Sequence, residues 1–353
     1  MALSVEERYQ YDRHLILDEV GVSGQEKLKN TSVLVIGAGG LGCPVLSYLS
    51  AAGVGRIGII DPDTVDQSNL QRQVLYAQSD IGTPKVEAAK RHLSELNPFV
   101  KFELYNEELT RLNAVDLFSK YDIVVDGSDN FPTRYLVNDA AVLAGKPIVF
   151  GSIFKFEGQV SVFNYKEGPT YRCLYPTPPG AHEAPNCSEI GVLGVLPGII
   201  GALQANEVIK LICGIGEVLS GKLLLFDALS LNQSLLMFTK NNELKIQRLE
   251  DSYDVFCGIP KLTEITLTEL KASKSNYQLL DVRTDLERES ENIGGIHIPL
   301  HELPARANEV LSDAPIVVYC KAGVRSAQAI QFLKESGFKN PLINLKGGLF
   351  YSE

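Results

Sequence analysis

Continuous apolar runs and helical periodicity alternate over the first 150 residues of the chain. The run Ser32–Ile36 predicts a buried strand, residues 44–52 a helix, and the run Arg56–Ile60 a second strand. Helical spacing returns at residues 85–96, and further strand-like runs lie at residues 101–105, 123–125 and 148–150. Because strands that alternate with helices form mostly parallel sheets, the pattern predicts a Rossmann-like, doubly wound α/β domain.

The pattern changes after residue 150. Strict alternation at residues 158–165 predicts an antiparallel strand, which makes the sheet mixed. The longest uncharged apolar stretch, residues 191–206, is too short to span a membrane and is interrupted by Pro197 and Gln204. We therefore expect a buried helix there, and a proline-rich irregular loop at residues 175–186.

A second, shorter α/β pattern follows a polar segment at residues 241–254. Its predicted strands lie at residues 278–280 and 316–319, and its predicted helices lie at residues 303–311 and 326–336. We expect two domains, residues 1–258 and residues 259–353, and the second is a small α/β domain.

Composition excludes several classes of function. The 353 residues include 45% apolar side chains and carry a formal net charge of −10. Such an acidic chain lacks the basic footprint of a nucleic-acid-binding protein, and it does not suit an anionic membrane surface. With no apolar targeting segment at the N-terminus and six cysteines, we expect a cytoplasmic protein with reduced thiols.

The first candidate site is the glycine-rich turn GAGGLG, residues 37–42, between the first strand and its helix. Glycines let the backbone approach a phosphate, and a helix N-terminus offers amide donors to it. Asp61 ends the next strand, where a carboxylate can accept hydrogen bonds from ribose hydroxyls. These features also fit a nicotinamide-dependent oxidoreductase, and the turn alone fits tight helix–strand packing without a ligand.

Charged residues further along the chain favour ATP over a nicotinamide cofactor. Arg72 and Lys85 supply two cations, and Asp129 supplies a carboxylate. Arginine grips phosphate oxygens in a fork, and lysine neutralises charge that develops on pyrophosphate. Asp129 suits Mg²⁺, which prefers hard oxygen ligands. This combination indicates a triphosphate bound with magnesium.

In these motifs the sequence resembles the MoeB/ThiF adenylyltransferases, relatives of the ubiquitin-activating enzymes. The matching stretches include YDRH, GAGGLG, SNLQRQ, GTPKVEAA and GSDNFPTR, and the resemblance covers nearly the whole first domain. It implies that ATP activates the C-terminal carboxylate of a small ubiquitin-like sulfur-carrier protein, with release of pyrophosphate. The nucleotide contacts that it implies are Gly40, Asp61, Ser68, Asn69, Leu70, Gln71, Arg72, Lys85, Asp129 and Asn130, with Asp129 on Mg²⁺.

The same resemblance makes three further implications. Arg13, in YDRH, matches an arginine that family members reach across a dimer interface toward ATP, which implies a homodimer. Cys187 matches a cysteine that relatives use to hold the activated carrier covalently. Many relatives bind structural zinc through two CxxC pairs, but Cys173 and Cys257 have a threonine and an aspartate in place of their leading cysteines. We therefore do not expect zinc.

The second candidate site follows the predicted strand at residues 316–319. Cys320 begins the loop CKAGVR, where backbone N–H groups, a helix N-terminus, Lys321 and Arg325 would stabilise a thiolate or persulfide. The loop resembles the active loop of rhodanese domains. That resemblance implies that Cys320 carries a persulfide, loaded by a sulfur donor such as a cysteine desulfurase.

Together the two resemblances imply one reaction sequence. A carboxylate activated by adenylation, next to a persulfide donor, yields a thiocarboxylate on a molybdopterin-type or thiamine-type carrier. Two alternatives remain open: a nicotinamide-dependent oxidoreductase, and a non-catalytic module that docks carriers. The docking module is disfavoured by an intact set of candidate site residues, namely Arg13, Asn69, Arg72, Lys85 and Asp129.

Overall fold

Two separate β-sheets organise the chain. The structure is a computed structural model that describes residues 2–179, 191–259, 262–311, 314–321 and 323–349. The chain divides into two compact units, Met1–Cys257 and Gly258–Glu353, called unit 1 and unit 2 below.

Unit 1 contains an eight-stranded mixed sheet in the order β3-β2-β1-β4-β5-β6-β7-β8. Its strands are β1 Ser32–Ile36, β2 Arg56–Ile60, β3 Lys101–Tyr105, β4 Ile123–Asp126, β5 Ile148–Phe154, β6 Glu157–Phe163, β7 Lys222–Asp227 and β8 Gln233–Met237. Its helices are α1 Val5–Gln10, α2 Asp12–Leu15, α3 Gly21–Asn30, α4 Gly42–Ala51, α5 Lys85–Leu96, α6 Ala114–Ser119, α7 Phe131–Ala144, α8 Tyr171–Leu174, α9 Leu196–Cys213 and α10 Tyr253–Phe256.

The first five strands are parallel, and β6, β7 and β8 are antiparallel to their neighbours. On β1, Val33 and Val35 pack in one buried cluster with α4 and α5, whereas Leu34 and Ile36 pack in another with α6 and α7. Successive side chains of a strand point to opposite faces. Helices therefore cover both faces of the sheet, which confirms the predicted doubly wound class.

The strand register brings the candidate residues of unit 1 to one edge of the sheet. Ile36 lies opposite Ile60 on one side and opposite Asp126 on the other. The glycine turn, Asp61 and the segment after Asp126 thus all begin where parallel strands end, and that edge is where ligands bind in such sheets.

Helix α9 lies later in the sequence than predicted. It runs from Leu196 to Cys213, and Pro197 stands in its first turn, where a missing N–H costs no hydrogen bond. Pro197 therefore starts the helix instead of interrupting it. By length and composition α9 passes the test for a membrane span, but over half of it is buried in unit 1, as in a core helix.

Unit 2 contains a five-stranded parallel sheet in the order β11-β10-β12-β13-β9. Its strands are β9 Thr263–Ile265, β10 Gln278–Asp281, β11 Ile296–His297, β12 Ile316–Tyr319 and β13 Leu342–Leu345. Its helices are α11 Leu267–Ser273, α12 Asp285–Ser290, α13 Leu303–Arg306 and α14 Val324–Glu335. The helix predicted at residues 303–311 is shorter, because the chain leaves the α-helical conformation at Arg306 and continues as a 3-10 turn at Ala307–Glu309, after which Val310 is buried.

Candidate nucleotide and sulfur sites

The glycine turn of unit 1 is closed by its own backbone. A Cβ at Gly42 would overlap the carbonyl oxygen of Gly37, so only glycine fits there. Asp61 holds the turn from the next strand, because its carboxylate accepts hydrogen bonds from the N–H groups of Ala38 and Asp63, both at 2.8 Å. The sequence assigned Asp61 to the nucleotide alone, whereas the structure also gives it this scaffolding contact.

Lys85 brings a buried positive charge to the same edge. It is the first residue of α5, and its Nζ lies 2.6 Å from Asp63 Oδ2 and 3.8 Å from Asp61 Oδ1. Burial alone would lower the pKa of Lys85, but the carboxylates of Asp61 and Asp63 raise it on balance. The ammonium group therefore stays charged. Asp63, which sequence reasoning passed over, was visible in the chain as the second acid of Asp61-Pro62-Asp63.

Arg72 lies beside the glycine turn. A Cβ built on Gly40 would come within 3.9 Å of Arg72 Cδ, and the guanidinium of Arg72 donates to the carbonyl oxygen of Ser68 at 3.0 Å. Asn69 Oδ1 accepts from the N–H of Asp66 at 3.1 Å. Within the part of the chain that the structure describes, the guanidinium contacts this carbonyl and no carboxylate, so its charge remains available to an anion.

Leu70 and Gln71 have different surroundings from Arg72. Leu70 packs against the core that contains β1 and α4. The side chain of Gln71 faces Gly194, where a Cβ would overlap it. In this structure both residues make packing contacts, and their assignment to the nucleotide stays a prediction.

The segment after β4 places Asp129 and Asn130. Asn130 caps α7, because its Oδ1 accepts from the N–H of Thr133 at 2.9 Å. Asp129 is exposed, and its charge is one of those that raise the pKa of Lys85. A carboxylate that lies open to solvent near Lys85 suits a hydrated Mg²⁺.

Two of the predicted residues do not join this group. Arg13 lies exposed on α2, and its guanidinium makes no hydrogen bond or ion pair with any described residue. Cys187 lies outside the residues that the structure describes. The functional roles of both stay predictions.

The two cysteines at the expected zinc positions lie in different environments. Cys173 Sγ accepts hydrogen bonds from the N–H groups of Thr170 and Asn241 at 3.3 and 3.4 Å. Cys257 is buried among aromatic rings, and burial raises its pKa to about 12. The described residues contain no group of three or more His, Cys, Asp or Glu side chains placed to hold a metal ion. That zinc is absent from the protein stays a prediction.

The sulfur site of unit 2 is a tight turn after β12. Cys320 is 1% exposed, and its Sγ accepts from the N–H of Gly323 at 3.1 Å. The Gly347-Gly348 turn packs directly beneath it. A Cβ at Gly348 would overlap the carbonyl oxygens of Cys320 and Lys321. This close approach explains the glycine pair near the end of the sequence.

Arg325 is placed differently from the prediction. It was expected to stabilise the sulfur anion, but its guanidinium makes a bidentate pair with Glu287 on α12, at 2.7 and 2.6 Å. The hydrogen bonds from Arg325 lower the pKa of Glu287 to about 2. The pair ties the start of α14 to α12, so Arg325 acts first as a clamp on the loop.

Known protein families account for both units. Residues 11–246 match the ThiF family, and residues 266–351 match the rhodanese-like domain. The chain belongs to the ThiF family. Both resemblances inferred from the sequence motifs are thus confirmed.

The ThiF-family relatives include proteins with both domains. The chain is 46% identical to the "Probable adenylyltransferase/sulfurtransferase MoeZ" of Mycobacterium tuberculosis, over 99% of this chain and 93% of that protein. It is 39% identical to the adenylyltransferase and sulfurtransferase MOCS3 of Arabidopsis thaliana, over 98% of this chain and 83% of that protein. The sulfur carrier protein adenylyltransferase of Thermus thermophilus is 51% identical, over 73% of this chain and 100% of that protein.

Among solved structures, E. coli MccB with ATP is similar at a TM-score of 0.55. It shares 25% identity and covers 63% of this chain and 68% of that chain. PaaA has a TM-score of 0.58 over 68% of this chain and 76% of that chain, at 23% identity, and supports the fold alone.

Proposed function

We propose that this ThiF-family enzyme uses ATP to adenylate the C-terminal carboxylate of a small ubiquitin-like sulfur-carrier protein, and then transfers sulfur to it from a persulfide on Cys320. The observation that carries the proposal is that one chain holds both a cationic glycine turn and a cysteine turn of the rhodanese type. Relatives that span both domains are named adenylyltransferase and sulfurtransferase, which disfavours a nicotinamide-dependent oxidoreductase.

In the adenylation step, a carboxylate oxygen of the carrier attacks the α-phosphorus of ATP, and the bond to pyrophosphate breaks. The glycine turn, which contains Gly40, receives the phosphates, and Lys85 and Arg72 neutralise charge on the departing pyrophosphate. Asp129 suits Mg²⁺, which would offset phosphate charge when bound. The solved structure of MccB with ATP supports a nucleotide on this fold.

The sulfur step begins with the thiolate of Cys320. It attacks the terminal sulfur of a donor persulfide, such as that of a cysteine desulfurase, and the donor thiol leaves. The terminal sulfur on Cys320 then attacks the acyl adenylate, AMP leaves, and the carrier is joined to Cys320 through a disulfide. A second thiolate must then release the product. We propose that Cys187 supplies it by attacking Cys320 Sγ, with the thiocarboxylate as the leaving group, and that an external thiol reductant then reduces the Cys187–Cys320 disulfide. The alternative role is the one implied by the family resemblance, in which Cys187 holds the carrier covalently.

A homodimer with a shared nucleotide site completes the proposal. Exposed apolar side chains are frequent in the N-terminal helical segment around Arg13, and they include Tyr9, Ile16 and Leu17. We expect that mixing Arg13→Ala with Asp129→Ala subunits restores part of the activity, because one hybrid site recovers both residues. Mixed samples that stay inactive despite proven subunit exchange would contradict the shared site.

The deciding experiment measures carrier-dependent exchange of pyrophosphate into ATP, together with thiocarboxylate formation by intact mass of the carrier. We expect both activities in the native chain, and Cys320→Ala should keep exchange but form no thiocarboxylate. Turnover of NADH without exchange would favour the oxidoreductase. Carrier binding without exchange would favour a docking module.

A further inference from the structure

Ser326 brings a buried hydroxyl to the sulfur of Cys320. It lies in the first turn of α14, is fully buried, and its Oγ is 3.5 Å from Cys320 Sγ. The same oxygen is 2.6 Å from Asn344 Oδ1 and 3.0 Å from the carbonyl oxygen of Gly323. A serine hydroxyl has one hydrogen, so it cannot donate to all three acceptors at once.

Asn344 determines which acceptor Ser326 serves when the thiol is neutral. It lies on β13, is almost fully buried, and its Nδ2 donates to Glu264 Oε1 at 3.2 Å. This contact fixes the amide so that Oδ1 faces Ser326. Because the contact to Asn344 is the shortest of the three, the hydroxyl hydrogen points there, and the lone pairs of Ser326 remain to accept the S–H of Cys320.

The charge on the sulfur reverses this preference. A thiolate or persulfide anion accepts hydrogen bonds more strongly than a neutral amide oxygen. A hydroxyl can redirect its hydrogen by rotating about one bond, with no movement of heavier atoms. The charged groups around the loop include Lys321, Arg325 with its partner Glu287, and Glu264 behind Asn344. On the neighbouring strand end, Asp281 pairs with Arg283 beside Tyr319.

We propose that Ser326 is a switching hydrogen-bond donor for the sulfur of Cys320, and that its hydroxyl hydrogen turns from Asn344 to the sulfur when the sulfur becomes anionic. The thiol proton itself leaves to a base in solution. With the N–H of Gly323, Ser326 then gives the anion a second neutral donor. The inference rests on the proposed sulfurtransferase function, because only that function requires an anionic sulfur here.

The test is the pKa of the Cys320 thiol, measured from the pH dependence of iodoacetamide alkylation in the full chain and followed by peptide mass. Ser326→Ala removes the donor and should raise this pKa by about one to two units, the equivalent of one hydrogen bond to a charged group. Asn344→Leu removes the competing acceptor and should lower it. Ser273→Ala, which removes a hydroxyl that bonds a helix carbonyl on α11, is the matched control and should leave it unchanged.

The opposite signs distinguish a switch from general damage to the site. If Ser326→Ala and Asn344→Leu shift the thiol pKa in the same direction, or if Ser326→Ala leaves it unchanged, the proposal is wrong. If Ser326→Ala unfolds unit 2, the sign for Asn344→Leu decides alone, and a rise overturns the proposal. The outcome does not depend on sulfur transfer, so a chain that forms no thiocarboxylate would contradict the proposed function and still decide this inference.

Discussion

The candidate nucleotide turn of unit 1 and the candidate sulfur turn of unit 2 occupy the same position in their folds, but their arginine side chains are paired differently. Each follows a buried parallel strand, precedes a helix and is closed by glycines that allow no Cβ. In the proposed function the turn of unit 1 receives an anion from outside, and Arg72 beside it makes no ion pair with a carboxylate of any described residue. In unit 2 the proposed anion forms on Cys320 itself, and the guanidinium of Arg325 is already paired with Glu287.

This difference in the pairing of arginine fits the amount of negative charge that each proposed site must stabilise. A triphosphate carries several negative charges, which require full positive charges near the site. A single thiolate that forms and disappears in each cycle is served by neutral donors, which cost less to leave without an ionic partner. Changes to one turn should therefore affect one half-reaction and spare the other.

The largest effects are expected where the two turns are closed. Gly42→Ala places a Cβ against the Gly37 backbone and should abolish adenylation, while Cys320 still accepts a persulfide. Gly348→Ala places a Cβ against the Cys320 loop and should abolish persulfide loading of Cys320, while adenylation continues. Overpacking of this kind typically costs about 1–3 kcal/mol of stability. Pyrophosphate exchange and the sulfur-mass adduct measure the two activities.

Gly198→Ala in α9 is the matched control for Gly42→Ala, because its Cβ meets no atom within 4 Å. Wild-type exchange in Gly42→Ala, or loss of persulfide loading in it, would show that the two turns are not independent.

Next in size are the cations of unit 1. Lys85→Ala and Arg72→Ala should each lower pyrophosphate exchange by about 10²–10³-fold, the usual loss for one contact to a charged transition state. Lys90→Ala, on the exposed face of the same helix as Lys85, should exchange normally. Exchange at the wild-type rate in either site variant would remove that residue from the proposed site.

A smaller effect concerns the clamp of unit 2. Because the folded pKa of Glu287 is about 2, below the usual 4.5, its pairing with Arg325 stabilises unit 2 above about pH 4.5. That stabilisation is lost as the pH falls from 4.5 toward 2. At pH 7, Glu287→Gln should lower the free energy of unfolding by on the order of 1 kcal/mol, since the pair is partly exposed.

Thermal melting of Glu287→Gln should also depend less on pH between 4.5 and 2 than melting of the native chain. Glu289→Gln, an exposed position on the same helix, serves as the control. Equal pH dependence in the native chain and in Glu287→Gln would contradict the clamp.

The smallest effect is expected at Cys173 and Cys257, the cysteines at the positions where many relatives bind zinc. Protein purified without added metal should contain far less than one zinc per chain by elemental analysis, and Cys173→Ser should change stability by no more than about 0.5 kcal/mol. One bound zinc per chain would contradict the expected absence of zinc and would point to Cys173 and Cys257 with unexpected partners.

The local sequence pattern was enough to predict helices and strands with a regular hydrophobic period, and turns rich in glycine. β1, the glycine turn and the start of α5 at Lys85 were readable in this way. The edge strand β8 was not predicted, because all five of its residues are exposed and its sequence does not alternate. β8 pairs with β7, the strand that precedes it, so its sequence needs no buried face and carries no periodic signal.

Contacts between residues that are distant in the sequence could not be predicted either. Arg325 meets Glu287, 38 positions earlier, and Ser326 meets Asn344, 18 positions later. Both contacts depend on which strands and helices become neighbours, and periodicity does not encode that. A charged residue next to a catalytic loop can therefore be identified from sequence, but its partner cannot.

The near-complete burial of Cys320 gives the protein chemical selectivity. A thiol that is 1% exposed reacts more slowly with peroxides and small thiols than an accessible one, because the oxidation of a cysteine depends on its exposure. An added sulfur extends the side chain by an S–S bond of about 2 Å, so the loaded form presents its outer atom beyond the inner one. Partners therefore meet the transferable sulfur first.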